Sequence, residues 1–156
     1  MIAVDIPGLR ELRLEHLVLD YNGTLAEDGK LLPGVATTLQ ALARTLQIHV
    51  VTADTFGSAA EQLSGLPVNL VVVADTAQAD RKLEFIASLN ATKVVAIGNG
   101  RNDRKMIEAA ALGIALIQRE GSAVETLVRA DIAVMGILDV LALLQYPKRL
   151  KATLRS

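Results

Sequence analysis

The chain has 156 residues, about half of them apolar, with two Tyr, two Phe and no Trp. That is enough chain for one domain with a sizeable aliphatic core. Its 16 basic and 17 acidic residues nearly cancel, which argues against a nucleic-acid binder; with no Cys, disulfides and thiol chemistry are excluded and zinc is disfavoured.

Residues 2–14 read as an extra edge hairpin turning at Pro7-Gly8. Their charges, Asp5, Arg10, Glu11 and Arg13, do not fit a secretion signal. Leu17 or Val18 opens the first confident strand, which ends at Asp20. Pro33-Gly34 precedes a helical pattern through Leu39, Leu42 and Leu46. Ile48 to Val51 is a short buried-type strand, followed by a helix over 58–63. Val68 to Ala74 is apolar on both faces and gives the strongest strand signal. A helix over 78–89, a strand over 94–97, a helix over 103–111 and a strand over 114–117 follow. Helix 123–129, strand 132–134 and helix 138–144 complete the pattern. The end, 146–156, holds Lys148, Arg149, Lys151 and Arg155 with no acid, and reads as a solvated basic tail behind one domain over 1–145. No apolar run approaches the length of a membrane span, and a cytoplasmic protein is expected.

Near-continuous apolar strands alternating with helices predict an α/β, three-layer, Rossmann-like fold with a central, mainly parallel sheet. Such sheets place ligands beyond the carboxyl ends of their strands. Four polar clusters fall there: Asp20/Asn22, Thr52/Asp54, residues 80–82, and Gly98 to Asp103.

Each cluster has a plain and a chemical reading. Asp20, at a strand end before a glycine turn, satisfies its own backbone or attacks a phosphoryl group. The amides of Asn22-Gly23-Thr24 offer an anion donors without added charge. Thr52 bonds backbone or a phosphate oxygen. Lys82, in the first turn of a helix, is unfavourable against the helix dipole unless it is solvated or faces an anion. Asp103 caps a helix or joins Asn99 in holding a hard divalent ion. Asp54 reads best as a cap, with a substrate contact as the alternative. Tyr21 should point away from Asp20, and His49 packs in the core; His16 has no assigned role. Nucleophile, hydroxyl, lysine and metal loop, in that order, are what phosphoryl transfer asks for. The single Gly23 after the first strand does not fit a dinucleotide turn, and a Gly-x-Ser-x-Gly elbow is absent.

The motifs Asp20-Tyr21-Asn22-Gly23-Thr24, Thr52, Lys82 and Gly98-Asn99-Gly100-Arg101-Asn102-Asp103 resemble the four motifs of the haloacid dehalogenase superfamily. The likeness covers roughly residues 14 to 145. The gaps after Thr24 and between Thr52 and Lys82 are too short for a cap domain, so the chain resembles a capless phosphatase or the soluble phosphorylation core of P-type ATPases. Residues 26–30 would form a small flap. The resemblance implies Asp20, Asn22, Thr52 and Lys82 as catalytic positions. It implies Gly23, Thr24, Asp54 and Asn102 as substrate contacts, and Mg²⁺ held by Asp20, Asn22, Asn99 and Asp103. It also implies a small phosphate ester or a phosphoprotein as substrate and a homo-oligomer as one way to cover the site.

Two positions depart from the pattern. Asn22 stands where family phosphatases carry the general acid and base, and an amide cannot move a proton near neutral pH. Asn99 stands where a carboxylate resembling a direct Mg²⁺ ligand belongs. The sequence therefore predicts a weak or specialised Mg²⁺-dependent phosphohydrolase. The alternative is a noncatalytic phosphate- or partner-binding module.

Overall fold

The computed structural model describes residues 1–156. Its strands are β1 (Ile2–Ile6), β2 (Arg10–Leu14), β3 (His16–Leu19), β4 (Ala26–Glu27), β5 (Lys30–Leu31), β6 (Gln47–Thr52), β7 (Asn69–Val72), β8 (Val94–Gly98), β9 (Leu112–Leu116) and β10 (Ile132–Val134). Its helices are α1 (Val35–Leu42), α2 (Ser58–Gln62), α3 (Gln78–Ser88), α4 (Arg104–Ala109), α5 (Val124–Leu127), α6 (Ile137–Gln145) and α7 (Pro147–Leu154).

Six strands form one sheet in the order β10-β9-β8-β3-β6-β7, and every neighbouring pair is parallel. The α/β expectation therefore holds, and no cap domain interrupts the sheet. The period-2 geometry of strands sorts its side chains onto two faces. Leu17, Leu19, Val50, Val95 and Ile97 join the larger core with Leu39, Val140 and Leu141. Val18, Val51, Val94 and Ala96 join a smaller one with Ile86, Met106 and Ile107. Asp20, two residues beyond Val18, therefore turns toward the α3–α4 side. From β3 the chain steps outward through β6 to β7, then returns to β8 on the other side of β3. This reversal makes the β3–β8 boundary the switch point, where open α/β sheets bind ligands.

Three expectations are corrected. The run over 68–74 gives the edge strand β7, and Val72 is 59% exposed. Its apolar character serves one covered face and a partly bare edge, because position in a sheet is set by distant pairing. The N-terminal hairpin does form, Ile2 opposite Leu14 and Ile6 opposite Arg10. It is a separate two-stranded sheet, not an edge of the main one. Residues 147–154 are helical, started by Pro147 at its first position. Leu150 is wholly buried in the larger core and Leu154 packs against it, so this basic segment is a docked helix in place of a frayed tail.

Candidate active site

The flap forms as β4 pairs antiparallel with β5. Tyr21, just past β3, is buried in the larger core, and its hydroxyl donates to Gly29 O at 2.9 Å, tying the flap to the strand end. This turns Tyr21 away from Asp20, as expected. The turn between them consumes its own donors: Gly23 N donates to Ala26 O and Thr24 N to Tyr21 O. Those two amides are therefore not free for an anion, against the sequence reading.

Lys82 lies in the second turn of α3, not the first. It shares the helix's buried stripe with Ala79 and Ile86. That stripe faces the sheet and carries Nζ to Asp20 Oδ1 at 2.8 Å and Asp103 Oδ1 at 2.7 Å. Lys82 and Asp103 have no exposed surface and Asp20 is 7% exposed. Asp103 does not cap α4 with its side chain. Its Oδ2 turns back to accept from Asn99 N and Gly100 N at 3.1 and 2.9 Å. The carboxylate fills the space where a side chain at Gly98 would stand, so glycine is required there for the close approach.

Two acids and one base leave this buried triad with a net negative charge. Burial, then the neighbouring Asp103, push the Asp20 carboxyl up to about 7, against the pull of Lys82. Burial pulls the Lys82 ammonium down, but Asp20 and Asp103 outweigh it and its pKa ends raised. Lys82 stays charged, and Asp20 carries the strain of the surplus charge.

A cavity of about 360 Å³ opens at the switch point. Of the sequence-predicted positions, Asp20, Asn22, Thr52, Asp54, Asn99 and Asn102 line it. Lys82 and Asp103 stand behind it, Gly23 lines an adjoining cavity and Thr24 is buried with an unpartnered hydroxyl. Asp54 accepts from Ala59 N and Ala60 N at 2.8 and 3.2 Å, capping α2. Its own amide donates to Thr52 Oγ1 at 3.3 Å. Asn102 Nδ2 donates to Gln78 Oε1 at 2.7 Å. Gln78, Phe56 and Glu120 also line the cavity and were not found from sequence. Glu120 was findable, since 118–121 also follows a strand end.

The metal-set residues that line the cavity are Asp20, Asn22 and Asn99, whose oxygens are a carboxylate, carboxamides and backbone carbonyls. That chemistry fits a hard divalent ion. Asp103 is fully committed to Lys82 and two amides, so it braces the site from behind. No cluster of three or more His, Cys, Asp or Glu gathers to hold an ion by itself.

No family model matches the chain. An uncharacterised protein of Methanocaldococcus jannaschii is 48% identical over 63 residues, 40% of this chain and 68% of that protein. Among solved structures, the 3-deoxy-D-manno-octulosonate 8-phosphate phosphatase of Moraxella catarrhalis, determined with magnesium, phosphate and KDO, superposes with a TM-score of 0.72. It is 14% identical over 85% of this chain and 86% of that one. A Legionella pneumophila protein assigned to subfamily III A of the haloacid dehalogenase superfamily gives a TM-score of 0.68 at 16% identity, over 90% and 88%. The chain shares the fold of haloacid dehalogenase-type hydrolases. A zinc-transporting P-type ATPase shares the same core, with a TM-score of 0.62 and 25% identity over 79% of this chain. That match takes up 20% of the transporter, and no helix here is long and apolar enough to cross a membrane. Within the haloacid dehalogenase fold, the four motif positions of this chain meet at one switch point, with Asn22 and Asn99 both on the cavity wall.

Proposed function

We propose that the chain is a phosphohydrolase that uses Asp20 as nucleophile and Mg²⁺ as cofactor, on small phosphate esters or a phosphoprotein. The observation that carries this reading is the buried Asp20–Lys82–Asp103 triad, with Asp20 on the cavity wall at the switch point. Lys82 occupies Asp20 Oδ1, which leaves Oδ2 to attack phosphorus. The P–O bond to the leaving group breaks as the Asp20 O–P bond forms, giving an aspartyl phosphate. Water then attacks that phosphorus, releasing inorganic phosphate and restoring the carboxylate. In this reading Thr52 Oγ, on the cavity wall at the end of β6, donates to a phosphoryl oxygen, and Lys82 holds Asp20 in line. Mg²⁺, held by Asp20, Asn22 and Asn99, supplies charge neutralisation on the phosphoryl oxygens when bound.

Asn22 lines the cavity but cannot protonate the leaving alkoxide or activate the second water. The missing general acid and base costs about 10²–10⁴-fold. Leaving groups that depart without a proton, such as aryl phosphates, are therefore favoured over alkyl ones. The test is phosphate release from a phosphoester panel with Mg²⁺, comparing the protein with Asp20→Ala and Asn22→Asp. Activity lost in Asp20→Ala and raised in Asn22→Asp is expected. Activity that persists in Asp20→Ala overturns the nucleophile.

One observation favours a second reading. Phe56, on the cavity rim, is 94% exposed, which suits a partner surface more than a small ester. A noncatalytic partner-binding module predicts binding that survives Asp20→Ala and fails in Phe56→Ala.

A further inference from the structure

Asn99 does more than replace a carboxylate. Its Nδ2 donates to Gly121 O at 3.1 Å, a bond that an aspartate, which has no donor, cannot make. Its backbone carbonyl accepts from Ala123 N at 2.8 Å, and Thr126 Oγ1 donates to Gly100 O at 2.7 Å. The segment after β9 is thus fastened to the Gly98–Asp103 turn. It is fastened equally to the nucleophile turn: Gln118 Nε2 donates to Gly23 O and Thr24 O at 3.2 and 3.1 Å. Arg119 pairs with Glu27 of the flap at 2.8 Å.

Glu120 lies between these fastenings and lines the same cavity as Asp20, Asn22 and Asn99. Its carboxylate makes no hydrogen bond or ion pair within the chain, while its neighbours Gln118 and Arg119 are both engaged. A Cβ built on Gly23 would lie 2.6 Å from Glu120 Oε2, 2.6 Å from Asn99 Nδ2 and 2.8 Å from Asn99 Oδ1. The Glu120 carboxylate and the Asn99 carboxamide therefore converge on one point above the nucleophile turn, a space that only glycine leaves open.

Charge selects the ligand of this convergence. The charged residues on the cavity wall are Asp20, Asp54 and Glu120, all acidic, with no Lys, Arg or His among the lining residues. Lys82 has no exposed surface and is spent on two carboxylates. A phosphate entering this wall meets only like charge unless a cation enters with it. An oxygen-only donor set of one carboxylate, one carboxamide and one carbonyl is thin for a divalent ion, and a second carboxylate makes up the usual complement.

The geometry points to Glu120 as the second carboxylate of the divalent-cation site: the negative charge missing at position 99 is returned from position 120, and the Asn99 amide is what fastens that segment in place. The inference rests on the reading of Asp20 as the centre of a phosphoryl-transfer site. Glu120 is exposed, so its replacement leaves the fold intact, as circular dichroism would verify.

The experiment is Mg²⁺ binding by isothermal titration calorimetry, without substrate, on the whole chain and on Glu120→Gln, Asp20→Asn and the double variant Asn99→Asp/Glu120→Gln. Glu120→Gln is expected to weaken Mg²⁺ binding about 10–100-fold, the loss typical when a group that supports a metal is removed. The double variant, with its carboxylate back at position 99, recovers most of that loss. Unchanged Mg²⁺ binding in Glu120→Gln, with binding lost in Asp20→Asn, overturns the role of Glu120 and leaves the Asp20 site standing. Failure of the unaltered chain to bind Mg²⁺, or full binding in Asp20→Asn, overturns the site reading itself and this inference with it.

Discussion

Replacing Asp20 by Asn removes the surplus negative charge from the buried triad while keeping the side chain's shape. Lys82 and Asp103, 2.7 Å apart, then form a neutral pair. The folded state raises the Asp20 carboxyl from 3.8 to about 7, chiefly through burial and then through Asp103. Because the folded value is raised, the carboxyl's contribution to stability is full below about pH 4 and is lost as pH climbs toward 7. A shift of roughly three units, at about 1.36 kcal/mol per unit, sets a ceiling of about 4 kcal/mol. Asp20→Asn is therefore expected to be more stable than the unaltered chain by about 1–4 kcal/mol at pH 8 in EDTA. The gap should close toward pH 4. Urea unfolding at several pH values measures it, with unchanged slopes showing that midpoint shifts report stability. Added Mg²⁺ should raise the midpoint of the unaltered chain and leave Asp20→Asn where it was, because a ligand stabilises only the protein that binds it. A variant less stable than the parent at pH 8, or a gap that does not vary with pH, refutes the charge reasoning.

Lys82→Met leaves two buried carboxylates facing each other; a loss of about 3–5 kcal/mol is expected in urea unfolding at pH 8, shrinking at low pH as the acids take up protons. His49 is buried, its Nε2 3.2 Å from His16 Nδ1 and its Nδ1 3.2 Å from Asn69 Nδ2. Burial, then His16, lower its pKa, so its contribution is full above about pH 6.5 and lost as pH falls through the folded value. His49→Gln should lose less stability than the parent between pH 7 and pH 5 in thermal melts. Leu150→Ala, at a wholly buried position on α7, should cost about 2–5 kcal/mol by urea unfolding; a cost below about 0.5 kcal/mol, typical of surface sites, would mean the helix is not docked.

What the sequence disclosed follows from how local each signal is. Asp20 was legible because an apolar strand, a carboxylate and a glycine turn are neighbours in the chain. The turn from Gly98 to Asp103 was legible for the same reason. Lys82 was half legible: its helix was expected and solvated and anion-facing readings stood even until the motif order named it, while its burial depends on sharing a stripe with Ala79 and Ile86. The run over 68–74 misled because an apolar strand reads alike in the centre and at the edge of a sheet; only the pairing partners decide. The basic C-terminal segment misled because its charges are many and its apolar anchors, Leu150 and Leu154, are few. Glu120 went unseen because its one local mark, a place just past the end of β9, is shared with the polar residues on either side of it. Its place on the cavity wall is made by Asn99, which donates to Gly121 O, and by the Gly23 and Thr24 carbonyls that its neighbour Gln118 grips, all from distant parts of the chain.

The bond from the Tyr21 hydroxyl to Gly29 has a spectroscopic consequence. The chain contains two tyrosines and no tryptophan. Tyr146 is 57% exposed and can be replaced by Phe. The remaining ultraviolet emission then comes from one phenol, buried beside Asp20 and hydrogen-bonded to the flap tip. Its intensity and acrylamide quenching would follow flap opening directly, without an attached dye, in the same cuvette in which phosphate or Mg²⁺ is added.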